Sequence, residues 1–574
     1  MSHHVVRRLR PYLFHGFERS QRLIRPRTFT TSAAAAEQKG QGKDVTHDYE
    51  KRVAQLEAYK PKSEWYPRID QGEERISLRA LRAIFGDASK TSEVAWKEQA
   101  QARQAELEGK HLVVMGRVSS VRASGSKLIF VDLKEADQRA QIVLSLNHLE
   151  ASGVDLESFK AFAKIIRKGD TFSVTGRPFI HKSGTVSLKA NKLPVLMSPS
   201  LHQIPLKLDD DATRAHQRHV DMLVNPAALD TLRMRVIVEG CIQAFLRNRH
   251  FLPVRTPILQ RGAGGAVARP FATEATELQG EKLNLRIAPE LWLKRLIIGG
   301  ASHVYEMGPV FRNEGVDATH NPEFTICEFY SAHTSLDKLI SETESMLCSI
   351  AKNVDTRRDA LASLDIPHLS LARPFNRVEF IPGIEKQLSR PLPDLSSHTA
   401  RTDLLDLFDK HSLPIPAKPS LPRLLDALAG HYLEPNCNDP TFITNHPAAL
   451  SPLAKHYTCP TTNQIISARA ELFIGGKEIA NMYEEENSPF AQREKFEAQI
   501  RYRQEVAEDG GRDDDGEPTV DESYLAALEW GMPPTGGWGC GVDRLVMLFS
   551  GRERLGDVLA FGGLRNVVGV GKGR

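Results

Sequence analysis

The 574-residue chain contains no run of about 18 apolar residues, the length a membrane-crossing helix needs, so no membrane partner is expected. Its six cysteines, Cys241, Cys327, Cys348, Cys437, Cys459 and Cys540, form no CxxC pair. That spacing argues against a zinc ribbon or a disulfide framework and for a reducing compartment. GxxxxGK[ST], HExxH and GxSxG are also missing, which excludes a Walker phosphate loop, a helix-borne zinc hydrolase and a nucleophile elbow. GWGCG, from Gly537 to Gly541, spells half a dinucleotide fingerprint. No βαβ pattern with an acid about 20 residues on follows it, so a Rossmann site is excluded.

At 41% hydrophobic and 26% charged, the composition is that of a globular chain, and its length suggests two to four domains. The formal charge of +3 is misleading. Up to Ala36 there are seven arginines and one acid, Glu18; taking these from 75 basic and 72 acidic residues leaves 68 against 71. The remainder is weakly acidic, so any nucleic-acid site must be a local patch. Arg-rich, acid-poor, Ser- and Ala-bearing N-termini are similar to mitochondrial presequences. RTFTTSAAAA, with Arg27, Phe29 and Ser32, matches the spacing of their processing sites and implies a cut after Ala36. The expected destination is the mitochondrial matrix.

Residues 37–108 are polar; Val53 and Leu56, three apart, fit one turn of an amphipathic helix. A helical N-terminal extension without a fold of its own is expected. Residues 109–197 carry short β-rich runs split by Gly and Ser, with a helix-like segment from Glu157 to Gly169. Three strands, a helix and two or more strands match a small OB barrel. An extended linker then leads into one large α+β domain, 198–574, which opens with a long helix from Thr231 and a strand ending at Pro257. The helical, Pro-rich stretch of about 336–440 reads as an insertion.

Four blocks carry a resemblance. They are the helix and strand ending at Pro257; RIAPELWLKRLIIGGASHVYEMGPVFRNEGVDATHNPEFTICEFY, Arg286 to Tyr330; ELFIGGKEIANMYEE, Glu471 to Glu485; and GWGCGVDRLVML, Gly537 to Leu548. In this order they resemble motifs 1, 2 and 3 of class II aminoacyl-tRNA synthetases, and FRNEG…HNPEFT…E.Y resembles the lysyl-tRNA synthetases in particular. With the presequence, the resemblance is to their mitochondrial form. The HIGH and KMSKS signatures of the other synthetase class are absent. The resemblance covers about residues 109–330 and 441–565. It implies an antiparallel-sheet catalytic domain preceded by an OB-fold anticodon-binding barrel, and a ligase that joins lysine to tRNA(Lys) through lysyl-adenylate.

Attack of a carboxylate on the α-phosphate of ATP needs in-line positioning and charge neutralisation. Arg312, His320 and Arg544 supply fixed cations, and arginine's planar fork can hold two phosphate oxygens at once. The resemblance places Arg312 on the α-phosphate and carboxylate and Arg544 on the γ-phosphate. Phe324 would stack on adenine and Glu314 orient it. Glu471 and Glu478 would hold Mg²⁺, a hard ion suited to carboxylates and phosphate oxygens. For the amino acid, the matching positions are Gly265, Glu290, Glu328, Tyr330, Asn481 and Glu485. Glu485 and Tyr330 are assigned to the ε-ammonium and Glu290 to the α-amino group. NMYEEEN, Asn481 to Asn487, departs from the family's usual NGFSELN: Met482 replaces a glycine and Glu484 adds a charge. On the barrel, Phe130 would stack on the anticodon and Gln141 hydrogen-bond it, with Arg117, Arg122 and Lys127 free to meet phosphates. Class II enzymes are usually dimers, which makes Pro257 an expected interface residue.

Three rivals remain. An aspartate- or asparagine-specific relative would need a cation or an amide where the acids stand. A ligase that lysylates a protein would lack the barrel. A catalytically silent binding paralogue should have lost some of Arg312, Glu471, Glu478 and Arg544, yet all four are present.

Overall fold

The structure, a computed structural model, describes residues 41–69, 75–85, 102–107, 109–180, 186–262, 268–278, 280–508 and 520–563. The leader expected at 1–36 lies outside them. The chain divides between Ile204 and Pro205 into two compact units.

In the first unit, strand Leu112–Ala123 pairs with Leu128–Glu135, which pairs with Gln138–Ser145. Strand Thr171–Ile180 pairs with Val186–Ala190, which runs parallel to Gln138–Ser145. Pairing of Leu112–Arg117 with Thr171–Gly176 closes the five strands into a barrel, and Val195–Ser198 adds at its edge. Strand side chains alternate between faces, so Ile129, Val131 and Leu133 fill the barrel while Phe130 and Asp132 face outward. The register sets Phe130 opposite Arg122 and Val143, and Gln141 opposite Asp132. Phe130 and Gln141 therefore stand on neighbouring rungs of the outer face, both half-buried.

Helix Leu156–Ile165 begins at Asp155, whose carboxylate accepts the Ser158 N–H at 2.7 Å. It buries Phe159, Phe162 and Ile165 in the barrel core. Helix Gln41–Tyr59 joins the same core through Leu56, together with Trp65, Leu78 and Leu81. It is fastened by Arg52, 1% exposed, which donates to both oxygens of Asp170 at 2.8 Å and to the Ile165 carbonyl at 2.6 Å.

The second unit is built on an eight-stranded sheet in the order Asn376–Glu379, Thr441–Thr444, Arg469–Ile474, Lys477–Glu484, Thr535–Gly541, Glu323–Ala332, His303–Phe311, Leu252–Pro253. It is antiparallel except for the outermost pair at each end. One face is core. There Cys327, Phe329, Trp538, Cys540, Met482, Ala480 and Leu472 pack on helices Pro226–Arg247, Leu336–Asp355 and Val542–Ser550. All six cysteines are free thiols.

Two elements depart from the sequence reading. The stretch expected as one insertion, 336–440, divides in two. Leu336–Asp355 is an integral core helix whose Leu339, Leu347 and Ile350 lie against the sheet, whereas helices Phe380–Leu388, Ala400–Lys410 and Leu421–Tyr432 form a core of their own. The strand expected to end at Pro257 covers just Leu252–Pro253. Beyond it the Thr256 N–H and hydroxyl bind the buried Glu306 carboxylate of the neighbouring strand, at 3.0 and 2.7 Å, in place of a backbone ladder.

Candidate active site

Alternation on the same sheet puts the chemistry on its second face. Glu328 lies opposite Gly539, which lies opposite Asn481, which lies opposite Glu471. One rung away, Tyr330 lies opposite Gly537, and Gly537 opposite Tyr483. The glycines at 537 and 539 keep the middle strand bare on this side. A Cβ on Gly537 would lie 1.8 Å from Glu485 Oε1 and 2.8 Å from the Tyr330 ring, so no other residue fits. The bare strand forms part of the wall of a cavity of about 1710 Å³.

Arg312, Glu314, His320 and Phe324 line this cavity together with Glu290, Glu328, Tyr330, Asn481, Glu471, Glu478 and Arg544. Pro257 lines it too and is exposed. Glu485 lies deeper, at 0% exposure, and Gly265 is outside the described residues. Phe130 and Gln141 belong to the barrel.

At one end the groups are cationic. The Arg312 guanidinium stands 5.2 Å over the Phe324 ring. Arg544 donates to the Glu478 carbonyl at 3.0 Å and to its carboxylate at 3.3 Å, and meets His320 Nε2 at 3.5 Å. His320 Nδ1 is 2.8 Å from Asp317, whose carboxyl is held well below its usual range by the Thr319 N–H and by His320. Beside them, Glu471 is gripped by Arg469 and lies 3.0 Å from His446 Nε2. Burial opposes ionisation of Glu471, but Arg469 and His446 overcome it and hold its carboxyl low. Burial and the neighbouring Glu471 push Glu478 up. Among the described residues no three His, Cys, Asp or Glu converge as a complete metal cage. An all-oxygen pair of glutamates facing open space fits a hard cation whose other ligands are phosphates and water.

The other end is acidic. Glu290, Glu328 and Glu485 are each less than 10% exposed. Burial and the nearby Glu290 raise the Glu328 carboxyl to about 8, and burial raises Glu485 well above its usual value. Tyr330 donates to Glu328 at 3.2 Å and Tyr483 to Glu290 at 2.7 Å.

A family model of class II tRNA synthetases (D, K and N) matches residues 210–565. The chain belongs to this family. A model of the OB-fold nucleic acid binding domain matches residues 112–196 of the same synthetase. The mitochondrial lysine–tRNA ligase of Schizosaccharomyces pombe is 38% identical over 514 residues, covering 88% of this chain and 94% of its own. That of Saccharomyces cerevisiae is 37% identical over 79% of this chain and 81% of its own, and the lysine–tRNA ligase of Deinococcus radiodurans 38% over 78% and 81%. The α+β fold with barrel and antiparallel catalytic sheet is thus established, as is membership of the aminoacyl-tRNA ligases. Class II synthetases take ATP as substrate, act on an amino acid and a tRNA, and use a divalent cation. No helix among the described residues is long and apolar enough to cross a membrane.

The synthetase's departures from NGFSELN have local causes. Met482 points to the opposite face and is fully buried in the core. The Glu484 carboxylate accepts the Leu336 N–H at 3.0 Å, a charge placed at the start of helix Leu336–Asp355 where the helix dipole favours it. Sequence reasoning missed Lys294, Tyr483, Tyr524, Arg469 and His446. Of these, Lys294 had a signal, because it stands four residues after Glu290 on one helix.

Proposed function

We propose that this synthetase is a lysine–tRNA ligase of the mitochondrial matrix. The observation that carries the reading is the acidic end of the cavity, where Glu290, Glu328 and Glu485 are buried around one pocket. Three carboxylates out of water are costly without cations. An amino acid with two ammonium groups supplies them, whereas aspartate or asparagine would not. The names of the relatives point the same way.

In this reading Glu485 and Tyr330 face the ε-ammonium, Glu290 the α-amino group and Arg312 the carboxylate, with Glu328, Asn481 and the Gly265 backbone completing the lysine-binding set. Phe324 stacks on adenine, Glu314 orients it, and His320 and Arg544 neutralise the phosphate tail. Glu471 and Glu478 hold Mg²⁺, which when bound neutralises phosphate charge. The lysine carboxylate oxygen attacks the α-phosphorus and pyrophosphate departs; the terminal hydroxyl of tRNA(Lys) then attacks the adenylate carbonyl and AMP departs. Arg312 serves both halves, holding the nucleophile first and the phosphoryl oxygens throughout. Phe130 and Gln141 read the anticodon from the outer face of the barrel.

Residues 1–36 act as the transit peptide, supported by their arginines and by the mitochondrial relatives. From the 37–108 extension, Arg52, Leu56, Trp65, Leu78 and Leu81 buttress the 109–197 barrel, and 198–574 carry catalysis. A homodimer forms across Pro257, supported by the exposed Leu252, Ile258 and Leu259 on the same segment. The deciding experiment is ATP–pyrophosphate exchange with each of the twenty amino acids. Exchange with lysine alone is expected; exchange with aspartate or asparagine overturns the assignment of the acids.

A further inference from the structure

The most deeply buried cation among the described residues of the second unit is not among the residues assigned above. Lys294, 0% exposed, places its ammonium 2.6 Å from Glu290 Oε1 and in contact with Glu485 Oε2. The rings of Tyr330, Tyr483 and Tyr524 stand 5.7–5.9 Å from it. A lysine that only braced the fold would need one carboxylate. This one bridges the two acids assigned to opposite ends of the substrate, and Glu485 Oε1, buried on its far side, has no hydrogen-bond donor among the described residues.

We propose that Lys294 is a specificity-determining positioning residue: its ammonium bridges Glu290 and Glu485, cancels one of the pocket's three carboxylate charges, and leaves two for an amino acid with two ammonium groups. The proposal rests on the lysine reading above. Its physical content is a charge balance in a site that excludes water. With Lys294 in place, two ammonium groups neutralise the acids, and the substrate carboxylate takes Arg312. A one-ammonium analogue of the same length leaves a buried negative charge, which must bind a proton or go unpaired. The bridge also fixes how far apart the two acids stand, and therefore which chain length spans them.

The groups facing Lys294 are consistent with this. They are Glu290 on its own helix, Glu328 and Tyr330 on strand Glu323–Ala332, Tyr483 and Glu485 at the end of the neighbouring hairpin, Tyr524, and Lys495 from helix Pro489–Glu508. Burial disfavours the Lys294 charge, yet Glu290 and Glu485 more than compensate and raise it. Burial and the nearby Glu290 raise the Glu328 carboxyl to about 8, so it holds a proton until a substrate ammonium group replaces it.

The test is Lys294→Met, with lysine and ornithine as exchange substrates. A lysine KM raised about tenfold or more is expected, with the ATP KM within about twofold and weaker discrimination against ornithine. In an ATP-binding variant, unchanged lysine KM and unchanged discrimination overturn the proposal. If the variant does not fold, the wild-type chain decides. Calorimetry in buffers of different ionisation enthalpy should show lysine releasing about one proton more than norleucine, which lacks the ε-ammonium; equal release overturns the charge balance. Absence of lysine-dependent exchange in the wild type would instead sink the lysine reading itself.

Discussion

Gly537→Ala puts a methyl group in place of a hydrogen at the point where the sheet and the acidic pocket meet. The new Cβ would stand 1.8 Å from Glu485 Oε1 and 2.8 Å from Tyr330 Cε1, with the Glu485 carboxyl carbon at 3.0 Å. Regaining ordinary van der Waals distance requires the carboxylate to withdraw by about 1.5 Å. It cannot swing freely, because its other oxygen is held by Lys294 and the whole side chain is buried. Two costs follow. Overpacking should lower stability by about 1–3 kcal/mol. Displacement of the acid proposed to meet the ε-ammonium should lower kcat/KM for lysine by about 10²-fold, the usual penalty for a misplacement of about an ångström. Arg544 and His320, proposed to meet the phosphates, and Glu478, proposed to hold the metal, lie elsewhere along the cavity, so the ATP KM should stay within about threefold. Lysine-dependent pyrophosphate exchange, with ATP affinity measured separately, separates the two ends of the site. A folded variant with wild-type lysine kinetics would refute the geometry from which the pocket is argued.

Three other perturbations read different parts of the molecule. Arg52→Met leaves Asp170, 0% exposed, without its guanidinium, and should cost about 3–5 kcal/mol in the urea-induced unfolding of the barrel. Glu328 binds its proton more tightly folded, at about 8 against 4.5 unperturbed. Its contribution to stability is therefore full below 4.5 and lost as pH rises through 8, so the melting temperature without substrate should fall across that window and Glu328→Gln should flatten the fall. Phe130→Ala removes an outward-facing ring, and should raise the tRNA KM by an amount equivalent to about 1–3 kcal/mol while leaving lysine-dependent exchange unchanged.

Much of this arrangement was legible because it is local. The two-residue period of FTICEFY and GGWGCG assigns alternate residues to opposite faces of a strand. One set, Cys327, Phe329, Trp538 and Cys540, is therefore core and the other, Glu328, Tyr330, Gly537 and Gly539, is site. What was not legible depends on long-range register. Glu484 read as an extra charge beside the pocket, yet it caps a helix 148 residues earlier in the chain. Residues 336–355 read as part of an insertion because their amphipathic pattern is the same whether a helix covers a central sheet or a satellite bundle.

Lys294 falls between these cases. Its i,i+4 relation to Glu290 is visible in ELWLK, but that spacing describes a surface ion pair worth a few tenths of a kcal/mol just as well. The difference comes from Glu485, 191 positions away, which the hairpin 469–484 and its pairing with Thr535–Gly541 carry under the same helix. A second carboxylate turns an ordinary helical pair into a buried three-centre arrangement, and burial turns that into a constraint on what else can enter. A motif search finds acids and so names the substrate's charge. The cation that sets how many of those acids stay unanswered is found by asking where each buried charge is neutralised.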